Sequence, residues 1–145
     1  MSLTGVYDPA NVFARMLRGE IPATKVYEDA ETLGFMDLFP QSRGHVLVIP
    51  KNVQARNFLD LDPAAVAPLM LTVQKVAKAV TAALNPDGVV ILQFNGAPAG
   101  QTVFHLHFHI IPRWEGEELK GHGTAPMADP QTLAALAAQI AAAIA

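Results

Sequence analysis

The segment His105-Leu106-His107-Phe108-His109 constrains this chain more than any other, because strict alternation leaves an extended strand few ways to dispose of its side chains. Successive residues on a strand face opposite ways, so the three imidazoles share one face and Leu106, Phe108 and Ile110 share the other. The apolar face is core. The imidazole face must hydrate, hydrogen-bond or ligate three rings that resist common protonation at neutral pH. The spacing predicts a strand from Thr102 to Ile111, stopped by Pro112, in a sheet with a buried side.

The rest of the chain supplies that sheet and its cover. Val66, Leu69, Met70, Val73, Val76, Ala77, Val80 and Leu84 recur at spacings of three and four, which predicts a helix from about Pro63 to Leu84. Asp62 caps it with Pro63 at the first helical position, and Asn85-Pro86-Asp87-Gly88 ends it. A short helix is expected at 11–19, with Val12, Phe13, Met16 and Leu17 on one side and Gly19 as the stop. Strands are expected at 25–28 and 32–37 around a turn at 29–31, at 45–50, and at 89–94. An alanine-rich helix opens at Asp129-Pro130 and places Leu133, Leu136, Ile140 and Ile144 on one side. Residues 115–127 read as loop, and His122 within them as solvated surface. The fold class expected is α+β in one domain over 1–145: an antiparallel sheet of about five strands, with a long helix and short N- and C-terminal helices. Turns rather than crossover helices are expected to join successive strands.

Composition narrows the setting. With 51% hydrophobic residues in 145, the chain has ample material for one core. No apolar run approaches the roughly 18 residues that a spanning helix needs, so no membrane partner is expected. The N-terminus has neither a basic nor an apolar leader region, and there is no cysteine. Disulfides, thiolate metal sites and cysteine nucleophiles are excluded, and a reducing, cytoplasmic location is the expectation. A net charge of −3 argues against a surface for nucleic-acid polymers. A small nucleotide remains within reach, because a few backbone N–H groups and one imidazole hold a phosphate.

Three uses of the histidine face remain open on the residues alone. The rings can be incidental and separately satisfied. They can ligate zinc, although the outer two lie about 13 Å apart along an ideal strand, so one ion reaches only two and needs His45 or a carboxylate as a third ligand. Or they can do covalent chemistry, since a neutral imidazole is a competent nucleophile toward phosphorus. The loop Asn95-Gly96-Ala97-Pro98-Ala99-Gly100 runs straight toward the strand, and its glycines let backbone approach a phosphate, with the Thr102 hydroxyl nearby.

Gly100-Gln101-Thr102-Val103-Phe104-His105-Leu106-His107-Phe108-His109-Ile110-Ile111-Pro112-Arg113 resembles the signature of the histidine-triad (HIT) superfamily. Gly44-His45-Val46-Leu47-Val48-Ile49-Pro50-Lys51 is similar to its second hallmark strand, and Phe13 through Pro22 to its opening helix and turn. The resemblance covers about 11–113 and is closest to bacterial and Hint-like members. It implies a homodimer across the long helix and the neighbouring strand, and hydrolases or transferases acting at the α-phosphate of AMP- or GMP-type nucleotides. It implies His107 as the nucleophile that forms a nucleotidyl-histidine, the His105 carbonyl as orienter of its ring, and His109 as a contact to phosphate or leaving group. Gly100, Gln101, Thr102 and Asn95 would bind phosphate, although Phe94 sits where branches of the family often place Asn or Gln. Asp37 would bind the ribose, and Leu38, Phe13, Met16, Phe35, Val12 and Met36 would wall the base. His45 would support the triad from behind.

The preferred activity under that resemblance is a nucleoside phosphoramidase. The alternatives are a dinucleoside polyphosphate hydrolase and a nucleotide-binding module with little turnover. Some bacterial relatives hold a structural zinc through a C-x-x-C in the first helix, a histidine after the Pro-Lys and the first triad histidine. Asn11, Ala14 and Val53 occupy the three additional places here, so no metal and no cofactor are expected, and His105 is left an organising role.

Overall fold

The structure is a computed structural model that describes residues 2–145. In chain order the elements are α1 (Val12–Leu17), β1 (Lys25–Glu28), β2 (Thr32–Met36), β3 (Val46–Pro50), α2 (Val66–Leu84), β4 (Gly88–Leu92), β5 (Phe108–Arg113) and α3 (Pro130–Ala142), with three short 3-10 turns. The five strands form one sheet in the order β1-β2-β3-β5-β4. Every adjacent pair is antiparallel.

Local chemistry accounts for most boundaries. Asn11 caps α1 by accepting the Ala14 N–H at 2.9 Å. Asp29 closes the first hairpin by accepting from the N–H of Glu31 and of Thr32 at 2.8 and 2.7 Å. Asp62 accepts from Ala64 N–H at 2.9 Å and opens a single 3-10 turn, after which α2 proper starts at Val66. Asn85 ends α2 in a left-handed conformation with φ of 50°. The alanine-rich helix stops at Ala142, one turn short of the expected extent, so Ile144 lies beyond it.

Both sheet faces are covered, which is why all five residues of β2 and of β3 are buried. One face carries Val46, Val48 and Ile110, which share a core with Leu106, with Leu69, Val73, Val76 and Val80 of α2 and with Leu133 and Ile140 of α3. A buried hydroxyl pair, Thr32 to Thr72 at 2.8 Å, ties β2 to α2 on that side. The opposite face carries Leu33, Phe35, Leu47 and Ile49 under Phe13 of α1. Each fully buried Leu or Ile contributes about 1.5–3 kcal/mol, so the larger core holds the sheet while the smaller one leaves room beside α1.

Two expectations need correction. Because β3 and β4 both run antiparallel to β5, they run parallel to each other, and α2 is the crossover between them. A turn cannot join parallel strands, so the long amphipathic helix does it. The triad strand is also shorter than its alternation predicts. β5 begins at Phe108, and residues 101–107 run as an irregular bend. Inside that bend Leu106 N–H donates to Ala55 O at 2.9 Å, outside the sheet. Leu106 and Ile110 nevertheless enter the core, as their spacing requires. No helix among the described residues is long and apolar enough to cross a membrane.

Candidate active site

β5 delivers His109 to the face shared with α1, opposite Leu47 of β3 and Leu92 of β4. The bend before it brings His107 to the same place, with ring centroids 5.1 Å apart. Phe13 of α1 packs edge-on against both His105 and His107, at 6.3 and 5.0 Å. His45, immediately before β3, completes the group from behind, its ring 5.2 Å from that of His109.

Hydrogen bonds fix which nitrogen of each ring carries the proton. Pro50 O accepts from His105 Nε2–H at 3.0 Å, so His105 Nδ1 accepts from the Tyr7 hydroxyl at 2.5 Å. His105 O in turn accepts from His107 Nδ1–H at 2.6 Å. The lone pair of His107 is therefore on Nε2. Gln41 N–H donates to His45 Nδ1 at 3.0 Å, which places the His45 proton on Nε2. That Nε2–H donates to His109 Nδ1 at 2.9 Å. His109 then carries its own proton on Nε2, a buried atom that has no partner among the described residues.

Burial keeps these rings neutral. It pushes His107 down to about 4 and His45 to about 3, with the neighbouring imidazoles adding to the effect. It lowers His105 and His109 as well, and His107, His45 and His122 push His109 further down. Asp37 is moved the other way. Burial raises its carboxyl to about 6 against the opposing Phe39 N–H, which donates to it at 2.8 Å. Its Oδ2 stands 3.4 Å from His45 Nε2.

A cavity of about 370 Å³ opens onto this cluster. Polar side chains of His107, His109, Asp37 and Thr102 line it, and so do the apolar ones of Val12, Phe13, Met16, Phe35, Met36 and Leu38. The base-wall and ribose residues expected from sequence thus meet around one space. Phe13 and Phe35 are also core, stacked edge-on at 5.3 Å.

The phosphate residues divide. Thr102 lines the cavity and is exposed to it. Gly100 N–H and Gln101 N–H are both engaged within their own turn, on Ala97 O and Gly96 O at 3.0 and 3.1 Å. The Gln101 side chain is buried, accepting from Gly96 N–H and donating to Arg56 O and Val103 O. Asn95 points away, its Oδ1 accepting from Phe58 N–H at 2.9 Å. These two side chains hold the loop in shape. Gly100 is needed twice over, by its φ of 116° and by the Phe94 ring 3.3 Å from where a Cβ would stand.

One residue read as solvated surface is not. His122 is half-buried, lines the same cavity and packs edge-on against His109 at 5.3 Å. The Phe94 ring lies 5.1 Å away, and Gln41 Nε2 is 3.3 Å from its Nδ1. The segment after β5 folds back over the site, and Ala128 N–H anchors it by donating to Leu38 O at 2.9 Å. A lone histidine between glycines in a polar stretch carries no periodic signal, so only the tertiary fold could place it.

Metal ligation fits the residues poorly. At the zinc position of the resemblance, Asn11 is a helix cap, Ala14 and Val53 have no ligating atom, and both nitrogens of His105 are hydrogen-bonded. Asp37, His45 and His109 bring ligand atoms within 4.8 Å of one another, but the Gln41 amide leaves a proton on the His45 nitrogen that faces the group.

A family model described as the HIT domain matches residues 18–116. The chain belongs to the HIT family. A Hit-like protein from Bartonella henselae has the same fold, with a TM-score of 0.90, 47% identity, and coverage of 96% of this chain and 99% of that one. A zinc-bound histidine triad family protein from Mycobacterium smegmatis superposes with a TM-score of 0.80 at 35% identity, covering 93% of each chain. Among curated relatives, the adenosine 5'-monophosphoramidase of Schizosaccharomyces pombe is 41% identical over 102 residues, 70% of this chain and 73% of the relative.

Proposed function

We propose that this HIT-family chain is a nucleotidyl hydrolase or transferase acting at the α-phosphate of purine nucleotides, with a nucleoside phosphoramidate as the preferred substrate class. The observation that carries the reading is His107. Its Nδ1–H is fixed on His105 O at 2.6 Å, which leaves an unprotonated Nε2 in the wall of a cavity of about 370 Å³. In the reaction, His107 Nε2 forms a bond to the α-phosphorus and the bond to the leaving group breaks with its electron pair. The leaving nitrogen takes up a proton from solvent, and the water that attacks in the second step returns one to solvent. Water then cleaves the phosphorus–nitrogen bond, which restores His107 and releases the nucleoside monophosphate.

His109 Nε2–H donates to a phosphoryl oxygen, where negative charge gathers in the transition state. Asp37 accepts from the ribose hydroxyls, and Phe13, Met16, Phe35 and Leu38 flank the base. Thr102 meets the phosphate side. The relative from Schizosaccharomyces pombe supports an amidate leaving group over a second nucleotide. We assign a cytoplasmic homodimer to the working form.

A chromogenic AMP-amidate provides the test. Wild-type protein should release the amine with turnover, and His107→Ala should lose at least about a thousandfold in rate, as expected for removal of a covalent nucleophile. Equal release by both proteins would refute the mechanism.

A further inference from the structure

Among the described residues two buried imidazole nitrogens have no partner: Nε2 of His109 and Nε2 of His122. Both rings line the cavity into which His107 presents its lone pair. One side chain and its own backbone govern the protons on both. Gln41 is buried. Its N–H donates to His45 Nδ1, and His45 Nε2–H passes the constraint to His109 Nδ1. Its side-chain Nε2 donates to His122 Nδ1 at 3.3 Å. Each pathway leaves the N–H of its last ring on Nε2. His109 is 1% exposed, so its free donor cannot be satisfied by bulk water. A buried donor without an acceptor is costly. Two such donors on rings 5.3 Å apart, beside a nucleophile, form a site that an anionic oxygen would complete.

We propose that His122, held by Gln41, is a second phosphate-binding donor, and that it clamps a non-bridging phosphoryl oxygen of the bound nucleotide together with His109. This rests on the nucleotide reading above and extends it to a residue outside the triad. The ligand chemistry is a phosphate mono- or diester dianion or monoanion, presented with its phosphorus against His107. Gln41 is a positioning residue. It touches no phosphate itself but keeps the hydrogen of His122 on the nitrogen that does. The segment after β5 thereby contributes to the site directly, rather than merely covering it.

The test compares AMP with adenosine in calorimetric titrations of wild type and His122→Ala, a substitution on an irregular segment outside the core. AMP affinity should fall about tenfold while adenosine affinity stays unchanged, the size expected for one hydrogen bond to a charged group. Unchanged AMP affinity would overturn the assignment, and so would an equal loss for both ligands. Long-range proton–nitrogen spectra of the imidazoles with inorganic phosphate give an independent arm. Phosphate should shift the Nε2 resonances of both His109 and His122, and Gln41→Met should let the His122 proton spread over both nitrogens. If the wild type binds neither AMP nor adenosine, the nucleotide reading fails and the phosphate shifts alone decide the clamp. A silent His122 signal overturns it.

Discussion

His107 and Asp37 sit in one cavity, yet burial acts on them in opposite senses. A histidine loses its charge on burial and a carboxylate regains its proton, because low dielectric penalises whichever form is ionised. His107 therefore keeps its lone pair down to about pH 4, well below the ordinary value of 6.5. Asp37, raised to about 6, is ionised, and so a strong hydrogen-bond acceptor for the ribose hydroxyls the proposed function assigns to it, only above that pH. Two outcomes follow for nucleotide binding. Asp37→Ala should abolish the preference for AMP over its 2'-deoxy analogue, a change of about tenfold in relative affinity. In the wild type the same preference should shrink as pH falls through 6, since the protonated carboxyl accepts one hydroxyl less well than the carboxylate accepts two. Competitive titration of the two nucleotides at pH 5 and pH 7.5 reads both effects, and a pH-independent preference would remove Asp37 from the ribose.

At the scale of elements, α1 is short for its task. Its six residues place Phe13 against two triad rings and Met16 on the cavity wall. A helix of that length does not hold itself, so its cap and its packing must. Asn11 supplies the cap. Asn11→Ala should lower unfolding stability by about 1 kcal/mol in urea titration and raise KM for nucleotide, without altering the His107 tautomer. Loss of stability with no effect on KM would mean that α1 is not a wall of the nucleotide site. The start of β3 is a second sensitive place. Gly44 has φ of +90°, and a Cβ there would stand 2.2 Å from Leu84 Cδ1 at the end of α2. Gly44→Ala should cost about 1–3 kcal/mol through backbone strain and displacement of Leu84. An unchanged melting temperature would contradict this.

For the whole molecule, four buried histidines held neutral dominate the response to acid. Between about 4 and 6.5 His107 is neutral in the fold and protonated when unfolded. The unfolded chain then binds more protons, and stability rises with pH across that window. His45 acts the same way from about 3 upward, and His105 and His109 share the direction. Asp37 opposes them between 3.8 and about 6, protonated when folded and ionised when unfolded. One carboxyl against four imidazoles leaves the histidines ahead. The urea midpoint should therefore fall as pH drops from 7 to 5, each histidine contributing at most about 1.4 kcal/mol per pH unit. A midpoint that is level or rising on acidification would show that these rings are charged in the fold. Assembly is the other property at this scale. β4 ends the sheet with its outer edge unpaired among the described residues, Ile91 is 48% exposed, and Leu71 on α2 is 64% exposed. Sedimentation should give twice the 15.5 kDa chain mass at micromolar concentration, and Ile91→Glu should give the single chain. A monomeric wild type would reject the dimer.

Much of this was legible in the chain itself. Periods of two and of three to four located five strands and three helices, because burial of one face imposes those periods directly on the residues. The alternation at 105–109 put Leu106 and Ile110 into the core and grouped the imidazoles, and one capping or turn residue marked each of several boundaries. Only the tertiary structure decided what depends on distant residues meeting. The alternation could not show that sheet pairing starts at Phe108, since Ala55, fifty-one residues before Leu106, takes that amide. Asn95 and Gln101 had the right chemistry for phosphate, but their partners across the loop decide where their side chains point. His122 had no pattern at all. It reaches the site because residues 115–129 fold back over the sheet and Gln41, eighty-one residues earlier, receives its ring. Local periodicity records which face of an element is buried, whereas a long-range hydrogen bond leaves no period in the sequence.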